Sequence, residues 1–187
     1  MAADTHTALR ARPKVASSRP KPEVGLFEIV SARADASGKK TTKDDTVDFL
    51  KIYRAAPVER INVIKAGLSA AVAKAIIGHL SIGHGRGLEA LKLSAATVNR
   101  KAAQNATLSS EDSERVVGMA RLIGQAQAMV EESGDPAGFD AAAWTSRWLQ
   151  EPLPAFGGAR PIDFMDTMEG QAMVSQVLAQ TQSGAYA

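Results

Sequence analysis

The chain of 187 residues is 45% apolar and 5% aromatic, enough to bury one good core or two small ones and too poor in rings to line a large aromatic cleft. It has no cysteine, which excludes disulfides, thiolate nucleophiles and cysteine metal sites and suits a reducing compartment. The net charge of +2 conceals a split: residues 1–106 carry 18 basic against 9 acidic side chains, residues 107–187 carry 4 against 11. The first half is thus suited to nucleic acid and the second would be repelled by it, so the two halves are expected to meet different partners.

No apolar run is long enough to cross a bilayer, and the stretch Met1 to His6 lacks the charged and apolar regions of a signal peptide. A cytoplasmic protein with no membrane partner is expected. Residues 1–45 read as a flexible basic arm, because Arg10, Arg12, Lys14, Arg19 and Lys21 sit among Pro13, Pro20 and Pro22 with few apolar groups to offset the entropy of ordering. The patch Leu26, Phe27, Ile29 and Val30 is a short docking segment or nothing.

From Thr46 the pattern is helical. Phe49, Leu50 and Tyr53 share one face, Val58, Ile61, Ile64 and Leu68 continue it, and Val72, Ile76 and Leu80 form a further stripe. The glycine-rich segment Gly78–Gly87 reads as a break between helices. After it, Gly87–Leu91 predicts a short helix, Lys92 and Leu93 a tight turn, and Ser94 the N-cap of a helix over Ala95–Ala103. On this second helix Val98 and Ala102 face inward, leaving Thr97, Arg100, Lys101 and Gln104 outward. That is the arrangement of a helix-turn-helix, with Thr97 available to a base edge or a phosphate and Arg100 and Lys101 to phosphates. Residues 46–106 are therefore expected to form a helix-turn-helix-like domain with operator DNA as partner.

Residues 107–187 read as a second, acidic helical unit. Ser109 caps a long helix, with Asp112 placed to reach back and Glu111, Asp112 and Glu114 at the positive end of the helix dipole. Val116, Met119, Ala120, Ile123, Ala126 and Val130 make its apolar stripe, and Ser133-Gly134-Asp135-Pro136 ends it at about Glu132. A helix over Phe139–Gln150 carries Trp144 and Trp148 on one face. Pro152 and Pro154 stop it, Gly157-Gly158 permits a turn, and Pro161 opens a short helix supplying Ile162, Phe164 and Met165. Thr167 caps the last helix, whose seam is Met173, Val174, Val177 and Leu178, and Gly170 within it predicts a close backbone approach.

The order and spacing of Leu108-Ser109-Ser110-Glu111-Asp112-Ser113-Glu114-Arg115, Trp148-Leu149, Pro152, Ala155-Phe156-Gly157-Gly158, Arg160-Pro161-Ile162-Asp163 and Gly184-Ala185-Tyr186-Ala187 resemble the toxin-binding domain of Xre/MbcA/ParS-type antitoxins, partners of RES-domain toxins. The resemblance covers about residues 55–187. It departs from the family in a longer basic arm and in the glycine content of Gly78–Gly87. It implies an all-α protein in which an Xre-like helix-turn-helix precedes a small helical toxin-binding domain over 107–187. It further implies a type II antitoxin, ParS-like, that occludes the active site of a RES-domain toxin using NAD for degradation or ADP-ribosyl transfer, and that represses its own operon. The implied toxin-facing residues are Arg160, Gly184, Tyr186 and Ala187, while Trp148, Gly157, Gly158, Pro161 and Gly170 shape the domain. A homodimer within a larger complex is also implied. A frayed terminus is the ordinary alternative for the last residues, and the competing function is a transcription regulator whose acidic half is a dimerisation or effector domain.

The residues themselves offer no catalytic set. His6, His79 and His84 do not make a ligand group, so no metal is expected. Gly83, Gly85 and Gly87 follow no strand and lack the phosphate-loop pattern. Asp163 and Asp166 are spaced as helix caps are, and neither an enzyme activity nor a cofactor is expected.

Overall fold

A computed structural model of the chain describes Gly25, residues 30–31, residues 45–134 and residues 136–182. The expected flexible arm falls largely outside these residues, as do Gly184, Tyr186 and Ala187. Within the arm, Val30–Ser31 (β1) pairs antiparallel with Asp45–Thr46 (β2), a ladder of two residues on each side. The fold is otherwise helical: α1 (Phe49–Arg54), α2 (Pro57–Ala66), α3 (Ala70–Gly78), α4 (His84–Ala90), α5 (Ala95–Ala103), α6 (Ser110–Ser133), α7 (Ala141–Trp148) and α8 (Met168–Gln182). Two 3-10 turns, Pro154–Phe156 and Pro161–Phe164, lie between α7 and α8.

The 24-residue α6 organises everything else. Ser109 caps it by accepting from the Asp112 amide at 3.1 Å, while the Asp112 carboxylate pairs with Arg115 instead of completing a capping box. Gly134 ends it in a left-handed conformation. Val116, Met119, Ala120 and Ile123 are fully buried, and α1, α2, α3, α7 and α8 all pack on this helix. The closest approach is at Gly124, where an added Cβ would stand 2.1 Å from the carbonyl oxygen of Phe49.

One hydrophobic cluster runs from Val47 to Leu178 and takes in side chains of every α-helix except α2. The segment joining α5 to α6 is not a loose linker. The Leu108 amide donates to the Leu68 carbonyl at 2.8 Å, the Ala70 amide to Ala106 at 3.0 Å, and the Leu68 amide to the Ser113 hydroxyl at 2.8 Å. In the same way the Ser81 amide donates to Ser146 Oγ at 3.0 Å, tying the turn before α4 to α7.

Three expectations are corrected. The glycine-rich break is shorter than Gly78–Gly87, because α4 begins at His84 and takes Gly85 and Gly87 into its turns. Val58 and Ile61, assigned to a buried face, are 61% and 46% exposed, since α2 turns only its Val63 and Ile64 side toward the core. Met173 is 38% exposed, and its place in the seam is filled by Gln171, whose amide is buried among backbone carbonyls. The Gly170 expectation holds: an added Cβ would lie 2.0 Å from the Phe164 carbonyl oxygen, which brings the second 3-10 turn against α8. Thr167 Oγ1 accepts from the Gly170 amide at 3.1 Å, as expected of a cap.

Candidate functional site

Two surfaces carry the chemistry that the sequence points to. The first is the helix-turn-helix of α4 and α5. The turn between them is a left-handed helix cap in which the Leu93 amide returns to the Leu88 carbonyl at 2.8 Å and the Lys92 amide to Glu89 at 2.9 Å. The residue in the left-handed position is Lys92, with φ of 49°, where glycine is usual. Ser94 Oγ then accepts from the Thr97 amide at 3.3 Å and starts α5. Leu88, Leu91, Leu93 and Val98 are buried and fix the angle between the helices, so α5 has one orientation on the body of the protein.

On α5 the exposed face consists of Ala95, Ala96, Asn99, Arg100 and Ala103, with Gln104 exposed just beyond its end. Of the residues singled out by sequence, Arg100 stands on this face, whereas Thr97 and Lys101 lie half-buried on its flank. Lys101 is also engaged: its ammonium donates to the Thr107 carbonyl at 2.9 Å, across the turn that follows the helix. Asn99, passed over in the sequence because it stands outside the basic cluster, shares the outer face with Arg100. Its amide has the paired donor and acceptor that reads adenine in a major groove, and the small Ala96 and Ala103 beside it let the helix approach closely.

The second surface is the 3-10 turn Pro161–Phe164 and its surroundings. Gly157 and Gly158 both have positive φ, of 65° and 88°, and reverse the chain so that Leu153 and Ala159 meet through a 3.1 Å backbone bond. Phe156 stacks on Phe164 with ring centroids 5.0 Å apart, and the Ile162 amide donates to the Leu149 carbonyl at 2.9 Å. Trp148 is buried, and Trp144 stacks on it at 6.1 Å with planes 10° apart. Arg160 is exposed at the start of the turn. Its guanidinium lies in a two-bond contact with Asp163, Nε to Oδ2 at 3.2 Å and Nη2 to Oδ1 at 3.0 Å, which holds it outward in one orientation.

The two surfaces are connected. Lys92, in the helix-turn-helix turn, forms an ion pair with Asp166, just beyond the 3-10 turn that starts at Pro161. The hydrogen bond from Lys92 is the main cause holding the Asp166 carboxyl below its usual range, against the opposing effect of burial. His79 packs edge-on against Phe49 at 5.4 Å, and His84 lies at the start of α4, so neither histidine joins the other in a ligand set. Among the described residues no group of three or more His, Asp or Glu is placed to hold a metal, and no helix is long and apolar enough to cross a membrane.

Comparison with known proteins covers both surfaces. Residues 59–121 match the antitoxin Xre-like helix-turn-helix domain, and residues 125–184 match the antitoxin Xre/MbcA/ParS C-terminal toxin-binding domain. The chain is 52% identical over 162 residues, 87% of its length and 100% of the relative's, to a Sphingobium protein of strain YBL2 described as "Prs ADP-ribosylating antitoxin". The second surface lies wholly within the toxin-binding match and the first wholly within the helix-turn-helix match. With both domains in this order, and with that identity along the whole of a relative, the chain belongs to the Xre/MbcA/ParS family and is an antitoxin of a toxin–antitoxin system.

Proposed function

We propose that this antitoxin neutralises a RES-domain toxin that uses NAD, by covering the toxin's active site with its C-terminal domain, and that it represses its own operon as a homodimer. In this reading residues 1–45 are a basic arm, 46–106 the DNA-contacting domain and 107–187 the toxin-binding domain. The toxin meets Arg160, Gly184, Tyr186 and Ala187, and DNA meets the outer face of α5 through Asn99 and Arg100, with Thr97 at its flank, while Lys101 holds the turn after the helix. The antitoxin performs no chemistry of its own and works by exclusion.

The observation that carries the reading is the full-length similarity to a relative whose description couples an antitoxin to ADP-ribosylation of Prs. Transfer of ADP-ribose consumes NAD, so an antitoxin of this kind faces an enzyme with an NAD pocket, and by extension the toxin's acceptor here is Prs as well. An acidic domain approaches a basic, phosphate-accepting pocket through complementary charge. Arg160, already fixed by Asp163, meets a partner without first losing side-chain entropy. The test is to delete Gly184–Ala187 and follow NAD consumption by the co-expressed toxin. Release of the toxin is expected, and full inhibition by the shortened antitoxin would sink the occlusion mechanism.

A further inference from the structure

Helix α8 carries a single charged residue, Glu169, among its 15 residues from Met168 to Gln182. By contrast, α6 has 7 among 24, of which Glu111, Glu114, Arg121 and Glu132 are exposed. Burial does not explain the shortage on α8. Its inner side, Val174, Val177 and Leu178, is in the core, but Met168, Ala172, Met173, Gln176 and Ala179 face outward, the two methionines at 38% exposure. Water-facing helix positions are ordinarily rich in Lys, Glu and Arg. A face that lacks them while showing methionine has the composition of an interface core.

The position of this face points to its partner. The whole of α8 lies inside the match to the toxin-binding domain, residues 125–184. In its first turn Gly170 lies against the carbonyl of Phe164, so the 3-10 turn that begins beside Arg160 is packed on the helix there. Met173 comes one helical turn after Gly170, on the flank nearest that packing. At the other end the sequence runs from Gln182 into Gly184, Tyr186 and Ala187. The two groups of residues assigned to the toxin therefore belong to opposite ends of a helix about 22 Å long. A stable contact between proteins covers roughly 800 Å² on each side, about 28 Å across, so one partner reaches both ends by lying along the helix.

We propose that the exposed face of α8 is the central contact with the toxin, seated on an uncharged apolar strip of the toxin's surface, with Arg160 at one edge and the tail at the other. This rests on the reading of Arg160 and the tail as toxin-facing, and it supplies what lies between them. Methionine suits the place, because its flexible thioether fills irregular gaps in a partner's surface. A charge introduced in the middle of such a face is buried without a partner when the toxin seats, which costs more than one rim contact contributes.

Two measurements on the full chain with its co-expressed toxin test the proposal. Met173→Glu and Gln176→Glu are each expected to raise the toxin dissociation constant at least about thirtyfold in biolayer interferometry. Both positions are exposed and glutamate is a good helix former, so the fold is kept. Ala71→Glu, on the exposed side of α3, is expected to leave the affinity as it was. In the wild-type chain, peroxide oxidation of Met173, followed by mass spectrometry, is expected to slow at least about tenfold when toxin is bound, with the buried Met119 and Met165 as unreactive references. Wild-type affinity in both α8 variants, or an unprotected Met173 in the complex, would overturn the proposal while leaving inhibition through the tail intact. An equal loss in Ala71→Glu would overturn it by showing that added negative charge repels the toxin from anywhere. Dispersal of a dimer by the α8 substitutions, with toxin binding unchanged, would give the face to a second copy and overturn it as well. A wild-type chain that does not bind the toxin would overturn the occlusion reading along with it.

Discussion

Lys92 and Asp166 form an ion pair that joins the turn of the helix-turn-helix to the segment leading into α8. The folded carboxyl titrates below its ordinary value, so its contribution to stability is complete above the usual aspartate range near 3.9 and is lost as pH falls through the lower, folded value. Thermal denaturation of Asp166→Asn against wild type is expected to differ at pH 6–7 and to converge below about pH 3. A gap that stays constant on acidification would show that the carboxylate's charge is not what Lys92 engages.

Gly124→Ala sets two effects against each other. Alanine gains about 1 kcal/mol of helix propensity over glycine, but its Cβ would sit 2.1 Å from the Phe49 carbonyl oxygen. Backbone cannot yield as a side chain tip does, so α1 must lift from α6, at a cost of about 3 kcal/mol. The clash wins, and urea denaturation is expected to give a lower midpoint. An unchanged or raised midpoint would mean that α1 is not seated on α6.

Gln171 donates from one amide nitrogen to the carbonyls of Met165 at 2.8 Å and Arg115 at 3.0 Å. Gln171→Leu keeps most of the volume and leaves these two carbonyls without that donor. The expected loss is about 1–3 kcal/mol by chemical denaturation, and a variant of wild-type stability would mean that water replaces the amide at no cost.

For DNA, the two basic residues of α5 are expected to behave differently. Arg100→Ala should weaken operator binding and lower the slope of log affinity against log salt by about 1, read by fluorescence anisotropy. Asn99→Ala should relax sequence preference at one base pair, by about 1–3 kcal/mol of discrimination. Lys101→Ala, which loses a bond to the Thr107 carbonyl, should reduce thermal stability and leave the salt slope nearly as it was. Equal effects of Arg100→Ala and Lys101→Ala on the slope would contradict the assignment of faces on α5.

The parts of the fold legible in the sequence were those written in local chemistry. Ser94, Ser109 and Thr167 cap the helices they announce, and Gly170 marks a close contact, because a cap and a missing Cβ act within one turn of themselves. The exposure of Val58 and Ile61 was not legible, since an apolar residue facing solvent has the same sequence pattern as one facing a core. Nor was the start of α4. Gly85 and Gly87 signal a break by propensity, and packing of the surrounding leucines overrides it. On α5 the charge of Arg100 and Lys101 was visible, but Lys101 is spoken for by a carbonyl six residues on, and Asn99 carried no charge to draw attention. On the second surface Arg160 follows the Gly157-Gly158 reversal, which the sequence did announce.

The match to the helix-turn-helix domain ends at residue 121 and that to the toxin-binding domain begins at residue 125, and both positions fall inside the unbroken α6. There is consequently no place to cut between the two domains. A protease that nicks this helix, or a substitution that melts it, disrupts both matched domains in one event. The antitoxin is lost as a single unit, and a surviving fragment that keeps one matched domain intact without the other is not a species this architecture produces.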